Sequence, residues 1–442
     1  MRHARRGVLP LDSRALTRIQ SLILVTVIVV AAIGGTLAYV LSGWKGTSET
    51  IKIGILADLG STTGTDIWQG VMLAAEQLND EGGIIGRQVE VVGEDTDAET
   101  VIDVAKINSA LTRLLTYHKV DFIIGQSFSE GFMVQELIAE HKRVFFEVGA
   151  NLDAYTQRVL DDYDRYKYYF RVSPNSTAQF LGMTDSLLLV REQTGFNKIG
   201  LIGEEGWTNE IIEGLSVVLP ELGFDLVYEK TLPPGTGDFT SYFAAAESAG
   251  VEIMLPLIYV APVPFVKEYY ERQSPMVIYG GYLGQGILGP RGWEITDGKC
   301  EFISSAAWPI TAGYPLTNKT LPDREAYIDR WNEIPDYGGG FAYGLMRYVL
   351  PDAIRRAETL EVNAVIEALE QTSIETCLAE NSCFTSSHDS VMGENPSDPD
   401  ADYLLVILFQ WIDGKQVPVY PKRIMEGAEV TYTFPDWSGP WD

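Results

Sequence analysis

Apolar and polar residues follow two recurring rhythms along this chain. Ile51, Ile53 and Ile55 alternate with Lys52 and Gly54 before Leu56, a β-branched run of strand length. A loop rich in Gly, Ser and Thr follows at 58–66. Then Ile67, Val71, Ala74 and Leu78 recur at helical spacing, and Asn79 to Gly83 ends that helix. Val89–Val92 reads as the next strand and runs into Glu94, Asp95 and Asp97. Strand, loop, helix, strand is the parallel βαβ unit, in which ligands sit beyond the carboxyl ends of the strands. The loop 58–66 is therefore the first segment expected to face a ligand. The rhythm continues with a helix within 99–117, a buried strand Asp121–Gly125, the loop QSFSEG, a helix Phe132–His141 and a strand Val144–Val148. Residues 151–168, rich in Asp and Tyr, read as an irregular exposed loop. Tyr169–Ser173 reads as extended, with Pro174 excluding helix at Ser173.

A second run then repeats the first. Lys198–Ile202, Leu226–Leu232, Ile253–Leu257 and Val277–Gly280 read as strands, with helices at Glu210–Leu222 and near 239–248 and 262–272. Residues 300–308 read as a return crossing, followed by helices near 323–333, 341–357 and 361–371. Gly338–Gly340 are read there as a tight turn. DYLLVILFQWI, Asp413-Gly414 and KQVPVYP read as a hairpin. Strands alternating with helices predict doubly wound parallel sheets, and the repetition predicts two similar α/β lobes with a cleft between them.

The amino terminus departs from this rhythm. Residues 1–20 carry Arg2, Arg5, Arg6, Arg14 and Arg18, and residues 21–41 contain no charge. That is the length of a transmembrane helix, with the positive flank on the cytoplasmic side and the rest of the chain outside. A cleaved signal peptide is the competing reading. Residues 42–50 read as a polar tether. The expected location is the cell membrane, single-pass, with the lobes extracytoplasmic.

Composition narrows the function. Lys and Arg number 33 against 61 Asp and Glu, for a net charge of −28. Such a surface repels phosphate backbones and argues against nucleic acid. Cys377 and Cys383, spaced as CLAENSC outside the cytosol, are expected to close a small disulfide loop, and Cys300 is read as a small buried apolar residue. The four His residues lack metal-ligand spacing, so no metal or cofactor is expected. There is no G-x-S-x-G elbow and no P-loop. Gly284, Gly286 and Gly289 match G-x-G-x-x-G, but the Pro290, Arg291 and Gly292 that follow do not favour the helix a dinucleotide site needs. No catalytic grouping emerges, so the chain is not read as an enzyme.

The stretches IKIGILADLG and GVMLAAEQLNDEGGIIGRQVEVVGEDTD resemble the amino-terminal signature of branched-chain amino-acid type ABC-transporter solute-binding proteins. These are type I periplasmic binding proteins, similar to the leucine/isoleucine/valine-binding protein. The resemblance runs from about residue 51 to about 420 and includes the Gln410-Trp411-x-Asp413-Gly414 segment. It implies that 51–171 and 301–400 form lobe 1 and that 172–300 and 401–420 form lobe 2. The tail 421–442 is expected to pack back on the body. The expected function is capture of a small polar organic solute, an amino acid or a related amide or carboxylate, for delivery to an ABC permease. A ligand-sensing receptor ectodomain of the same fold is the alternative. His388-Asp389 matches a similar pair in a carboxy-terminal loop of the family and implies a structural role.

The same resemblance assigns ligand-binding positions. GQSFSEG puts Ser129 against a ligand carboxylate, flanked by Ser127 and Glu130. Gly149, Ala150 and Asn151 match a second loop, with Asn151 in place of the family's Thr. EEGWT offers Trp207 as the aromatic cover from lobe 2. Relatives that bind amino acids hold the ammonium with a Glu in lobe 2, and YGGYLGQG puts Tyr282 there, with Gln285 nearby. A buried ammonium without a carboxylate is costly. Either Glu130, Glu147, Glu204 or Glu205 substitutes, or the ligand is not an α-amino acid.

Overall fold

The opening isoleucines form β1 (Ile51–Ala57), with Ile51, Ile53 and Ile55 fully buried. The computed structural model describes residues 50–98, 103–127, 130–284, 287, 291–307, 309–393, 397, 402–421 and 432–437. The expected membrane span at 21–41 lies outside them. Among the described residues no helix is long and apolar enough to cross a membrane.

After β1 come α1 (Thr62–Asp80), β2 (Val89–Asp95), α2 (Val104–Arg113) with a π turn at Leu114–His118, β3 (Phe122–Gly125), α3 (Gly131–His141) and β4 (Val144–Glu147). Then follow α4 (Asp153–Asp161), α5 (Tyr163–Tyr166) and β5 (Tyr169–Arg171). The strands form a parallel sheet in the order β2-β1-β3-β4-β5, with Ile51 opposite Val89 and Ile53 opposite Phe122. Ser61 caps α1 by accepting the Gly64 N–H at 3.0 Å.

The second run comprises α6 (Ser176–Thr194), β6 (Lys198–Glu204), α7 (Asn209–Glu221), β7 (Asp225–Leu232), α8 (Thr240–Ser248), β8 (Ile253–Ile258), α9 (Pro262–Arg272), β9 (Val277–Ile278), β10 (Tyr282–Leu283) and α10 (Gly292–Ile295). Its parallel sheet runs β10-β8-β6-β7, with β9 also on β8. The rest of the chain supplies β11 (Ser304–Ala307), α11 (Pro309–Ala312), α12 (Thr320–Trp331), α13 (Tyr337–Gly344) with a π turn at Leu345–Val349, α14 (Leu350–Ala357), α15 (Val362–Glu370), β12 (Ile407–Ile412) and β13 (Lys415–Tyr420). α12 and α13 pack on α1 in the first lobe. β11, β12 and β13 form a separate antiparallel sheet. In the tail, Trp437 packs edge-on against Tyr270 and Phe302, while Trp441 lies outside the described residues.

Several expectations need correction. Residues 151–168 are not an irregular loop: α4 and α5 occupy most of it, because Tyr155, Thr156 and Val159 share a buried face among the acidic residues. α6 has no counterpart in the expected elements. Its buried face includes the polar Ser176, Gln179, Thr184 and Ser186 while Leu181 is exposed, so no apolar stripe announces it. Gly338–Gly340 are not a turn but the first turns of α13. A Cβ at Gly338 would lie 2.6 Å from Ile67 Cγ1, and one at Gly339 would lie 2.3 Å from Asp66 Oδ1. These glycines are there so that two helices can touch.

Cys377 and Cys383 stand as free cysteines in this structure, where the sequence spacing led us to expect a disulfide. Their loop is closed by hydrogen bonds instead. Ile374 and Ser382 exchange backbone bonds at 2.7 and 3.2 Å, and Thr376 and Ser382 pair their hydroxyls at 2.9 Å. Cys377 is buried against α13, and burial pushes its thiol well above the ordinary range. Cys300 is buried in the core of the second lobe, as a small apolar residue would be.

Candidate functional site: the cleft between the strand ends

Each lobe carries a buried carboxylate at the carboxyl end of a central strand, and each ties two loops together. In the first lobe it is Glu147, the last residue of β4 and fully buried. It accepts the Ser127 N–H at 3.0 Å, the Ser127 hydroxyl, the Gly149 N–H at 2.9 Å, the Ala150 N–H at 2.7 Å and the Tyr169 hydroxyl at 3.2 Å. The loops after β3 and β4 are thereby locked to one side chain. Burial pushes the Glu147 carboxyl above its ordinary value, while the Ser127, Ala150 and Gly149 donors work against that rise.

In the second lobe the equivalent is Glu204, which ends β6 and is 1% exposed. It accepts the Trp207 indole N–H at 3.2 Å, the Tyr259 N–H at 2.7 Å and the Val260 N–H at 2.9 Å. Trp207 follows β6 and Tyr259 follows β8, so this carboxylate holds the Trp207 ring by its indole N–H and Tyr259 by its backbone N–H.

The two lobes meet over these loops. The Thr63 hydroxyl, in the first turn of α1, lies 2.6 Å from the Tyr259 hydroxyl of the second lobe. Around that contact four rings gather. Tyr282 is 5.6 Å from Trp207 and nearly perpendicular to it, 6.1 Å from Tyr259 and nearly parallel, and 6.2 Å from Tyr337 and nearly perpendicular. Tyr337 begins α13 and belongs to the first lobe.

The floor of the first lobe rests on one charged group. Arg171, at the end of β5, is fully buried and bonds Asp389 at 2.7 Å, the Leu152 carbonyl at 2.7 Å and the Thr156 hydroxyl at 2.8 Å. Asp389 also accepts from Thr156 at 2.7 Å and Asn175 at 3.3 Å. His388 stacks on Phe170 at 3.9 Å and pairs with Glu370 at 3.0 Å. The His-Asp pair thus anchors the return loop to β5.

The structure places most of the expected site residues at these strand ends. Ser127, Gly149 and Ala150 are held by Glu147. Glu130 donates its N–H to the Ser127 carbonyl at 3.0 Å, at the start of α3. Asn151 is half-buried; its carbonyl takes the Ser176 N–H at 2.8 Å, and its amide lies 3.5 Å from Gln179 Oε1. Trp207 and Tyr282 share the aromatic cluster. Ser129 and Gln285 lie outside the described residues. Sequence reasoning pointed to the segment 58–66 that holds Thr63 without singling that residue out, and it missed Tyr259 and Tyr337. Tyr259 had a signal, an aromatic residue immediately after a buried strand, but Tyr337 gave none. Of the carboxylates weighed as ammonium partners, Glu147 and Glu204 each accept several of the chain's own donors. Glu205 is exposed.

A sequence profile of the periplasmic binding protein family matches residues 50–393, most of the chain. The chain belongs to the periplasmic binding protein family. It is similar to the Leu/Ile/Val-binding protein homolog 7 of Brucella melitensis, 25% identical over 403 residues that cover 87% of this chain and 95% of the relative. Two solved structures share the fold of this periplasmic binding protein. One is a branched-chain amino acid transporter substrate-binding protein from Streptococcus pneumoniae in complex with isoleucine, with a TM-score of 0.66 at 18% identity, covering 84% of this chain and 100% of that one. The other is an ABC transporter solute-binding protein from R. palustris in complex with benzoate, with a TM-score of 0.67 at 14% identity, covering 84% and 95%. A surface depression of about 520 Å³ is lined by Pro315, Leu316, Asn318, Leu321, Glu375 and Glu380 among others, none of them a cleft residue. The ordering of strand-end loops by buried carboxylates makes the cleft, and not that depression, the place where this periplasmic binding protein has fixed polar and aromatic groups.

Proposed function

We propose that this protein is the extracytoplasmic solute-binding component of an ABC importer. It takes a small polar organic solute between its two lobes and delivers it to a permease, without chemical turnover. The observation that carries the reading is the facing of two sets of strand carboxyl ends across one cleft, bridged by Thr63 and Tyr259. Ser129, Glu130 and Asn151 act from the first lobe, on loops that Ser127, Gly149 and Ala150 tie to Glu147, and Trp207 and Tyr282 act from the second. The isoleucine and benzoate complexes of the two fold relatives supply the size class of the solute. The arginine-rich start and the uncharged stretch 21–41 hold the lobes at the outer membrane face.

A thermal-shift screen over amino acids, amides, carboxylates and aromatic acids, followed by calorimetry, tests the binding reading. A ligand that binds only the folded state raises its melting temperature by mass action. Trp207→Ala is expected to weaken the hit by about 1–3 kcal/mol with the fold intact. Amino-terminal sequencing of protein from native membranes tests the anchor, and a mature start near residue 45 would remove it.

A further inference from the structure

We propose that Glu147 sets the specificity of the cleft by standing in for a solute's carboxylate, so that the cleft takes amides in preference to carboxylates; this rests on the solute-binding reading above. The N–H groups of Ser127, Gly149 and Ala150, on the loops after β3 and β4, converge at strand carboxyl ends, where such sheets meet their ligands. Converging backbone N–H groups form an anion-binding concavity. Here the Glu147 side chain fills it, and the same carboxylate also receives the Ser127 and Tyr169 hydroxyls. The second lobe repeats the arrangement: Glu204 ends β6 and receives the Trp207 indole N–H and the Tyr259 and Val260 N–H groups. Both carboxylates are buried, and neither forms an ion pair among the described residues.

The surrounding loops give an incoming anion nothing in exchange. Residues 58–66, 126–130, 147–152, 204–208 and 259–261 contain Asp58, Asp66, Glu130, Glu147, Glu204 and Glu205 and no Lys, Arg or His. Arg171 reaches the carbonyls of Ala150 and Leu152, but its charge is paired with Asp389. The field of Glu147 extends to the ring cluster: burial pushes the Tyr337 hydroxyl above its ordinary value, the Glu147 charge adds to that rise, and Tyr337 meets Tyr282 of the other lobe. A solute carboxylate would therefore lose its hydration beside like charges, with the converging N–H groups already held by Glu147. An amide of the same shape brings no charge into that field and can donate as well as accept.

Calorimetry on the full chain with two pairs of equal shape, benzamide against benzoate and isoleucinamide against isoleucine, tests this. In each pair the amide is expected to bind at least about tenfold more tightly. Glu147→Gln keeps the length of the side chain and removes its charge, and is expected to shrink that ratio by about threefold or more, with the ligand-free melting curve as the control for folding. Glu147→Ala empties the concavity. Formate is expected to raise the melting temperature of this variant, while formamide leaves it unmoved and formate leaves the parent unmoved. A folded Glu147→Ala chain that formate does not stabilise overturns the proposal. Should that variant not fold, Glu147→Gln decides, and an unchanged ratio there overturns the proposal. A carboxylate that binds the parent as tightly as its amide also overturns it but leaves solute capture standing, whereas no binding by any of the four solutes takes down both.

Discussion

At the scale of single residues, the molecule places charged side chains where desolvation is costly and surrounds them with donors and partners. Arg171 is the extreme case: burial works against its charge, and the Asp389 carboxylate holds it protonated. Asp389→Asn leaves that charge buried without its counter-ion. It should cost about 3–5 kcal/mol in urea unfolding, far more than loss of an exposed pair such as Lys106–Asp97. Asp66 shows the opposite balance. Burial, with Asp336 beside it, pushes its pKa up to about 7 from an ordinary 3.8, against donors from Tyr327, Asp336 and Gly339. The folded state therefore keeps a proton that the unfolded chain has already released. Asp66 favours folding most at low pH, and its contribution falls as pH climbs from about 4 to about 7. A carboxyl carbon titrating near neutrality in an NMR series, and missing in Asp66→Asn, is the expected signature. A titration near pH 4 would refute it.

Among whole elements, what the sequence displays and what it hides divide along one line. Strands that alternate or run apolar between Gly-rich loops are displayed: β1, β3, β4, β6 and β8 fall where their patterns put them, because a buried parallel strand has no polar face to blur the signal. Elements whose burial depends on a distant neighbour are hidden. α6 buries Ser176, Gln179, Thr184 and Ser186, so its pattern fails to read as a helix. The glycines of α13 read as a turn because glycine disfavours helices, yet contact with α1 outweighs propensity there. A Cβ on Gly70 of α1 would meet the Gly339 carbonyl oxygen at 2.3 Å, and backbone cannot rotate away as a side chain can. Gly70→Ala must therefore separate the helices. It should lose about 1–3 kcal/mol in denaturant despite alanine's better helix propensity. A neutral or stabilising result would mean that the two helices part at no cost.

For the molecule as a whole, the proposed function rests on how the lobes close, and here the sequence is silent. Half of the cleft could be found from strand ends alone: Ser127, Gly149, Ala150 and Trp207 all follow strands. The contact that joins the lobes, Thr63 to Tyr259, spans 196 positions and belongs to neither pattern. That contact can be removed without disturbing the rings. Tyr259→Phe keeps the aromatic face beside Tyr282 and deletes only the hydroxyl that reaches Thr63. A hydrogen bond of this kind contributes about 0.5–1.5 kcal/mol net, a factor of roughly two to ten in the ratio of closed to open protein. If a solute binds the closed arrangement, its affinity should fall by up to the same factor, since opening competes with binding. Small-angle scattering of the ligand-free variant should give a larger radius of gyration than the parent, and saturating solute should bring the two together. Thr63→Val should reproduce both effects, and the double variant should add little to either single change, because both remove one bond. Equal radii for parent and variants, with additive losses of affinity, would mean that Thr63 and Tyr259 act separately and that closure is held elsewhere.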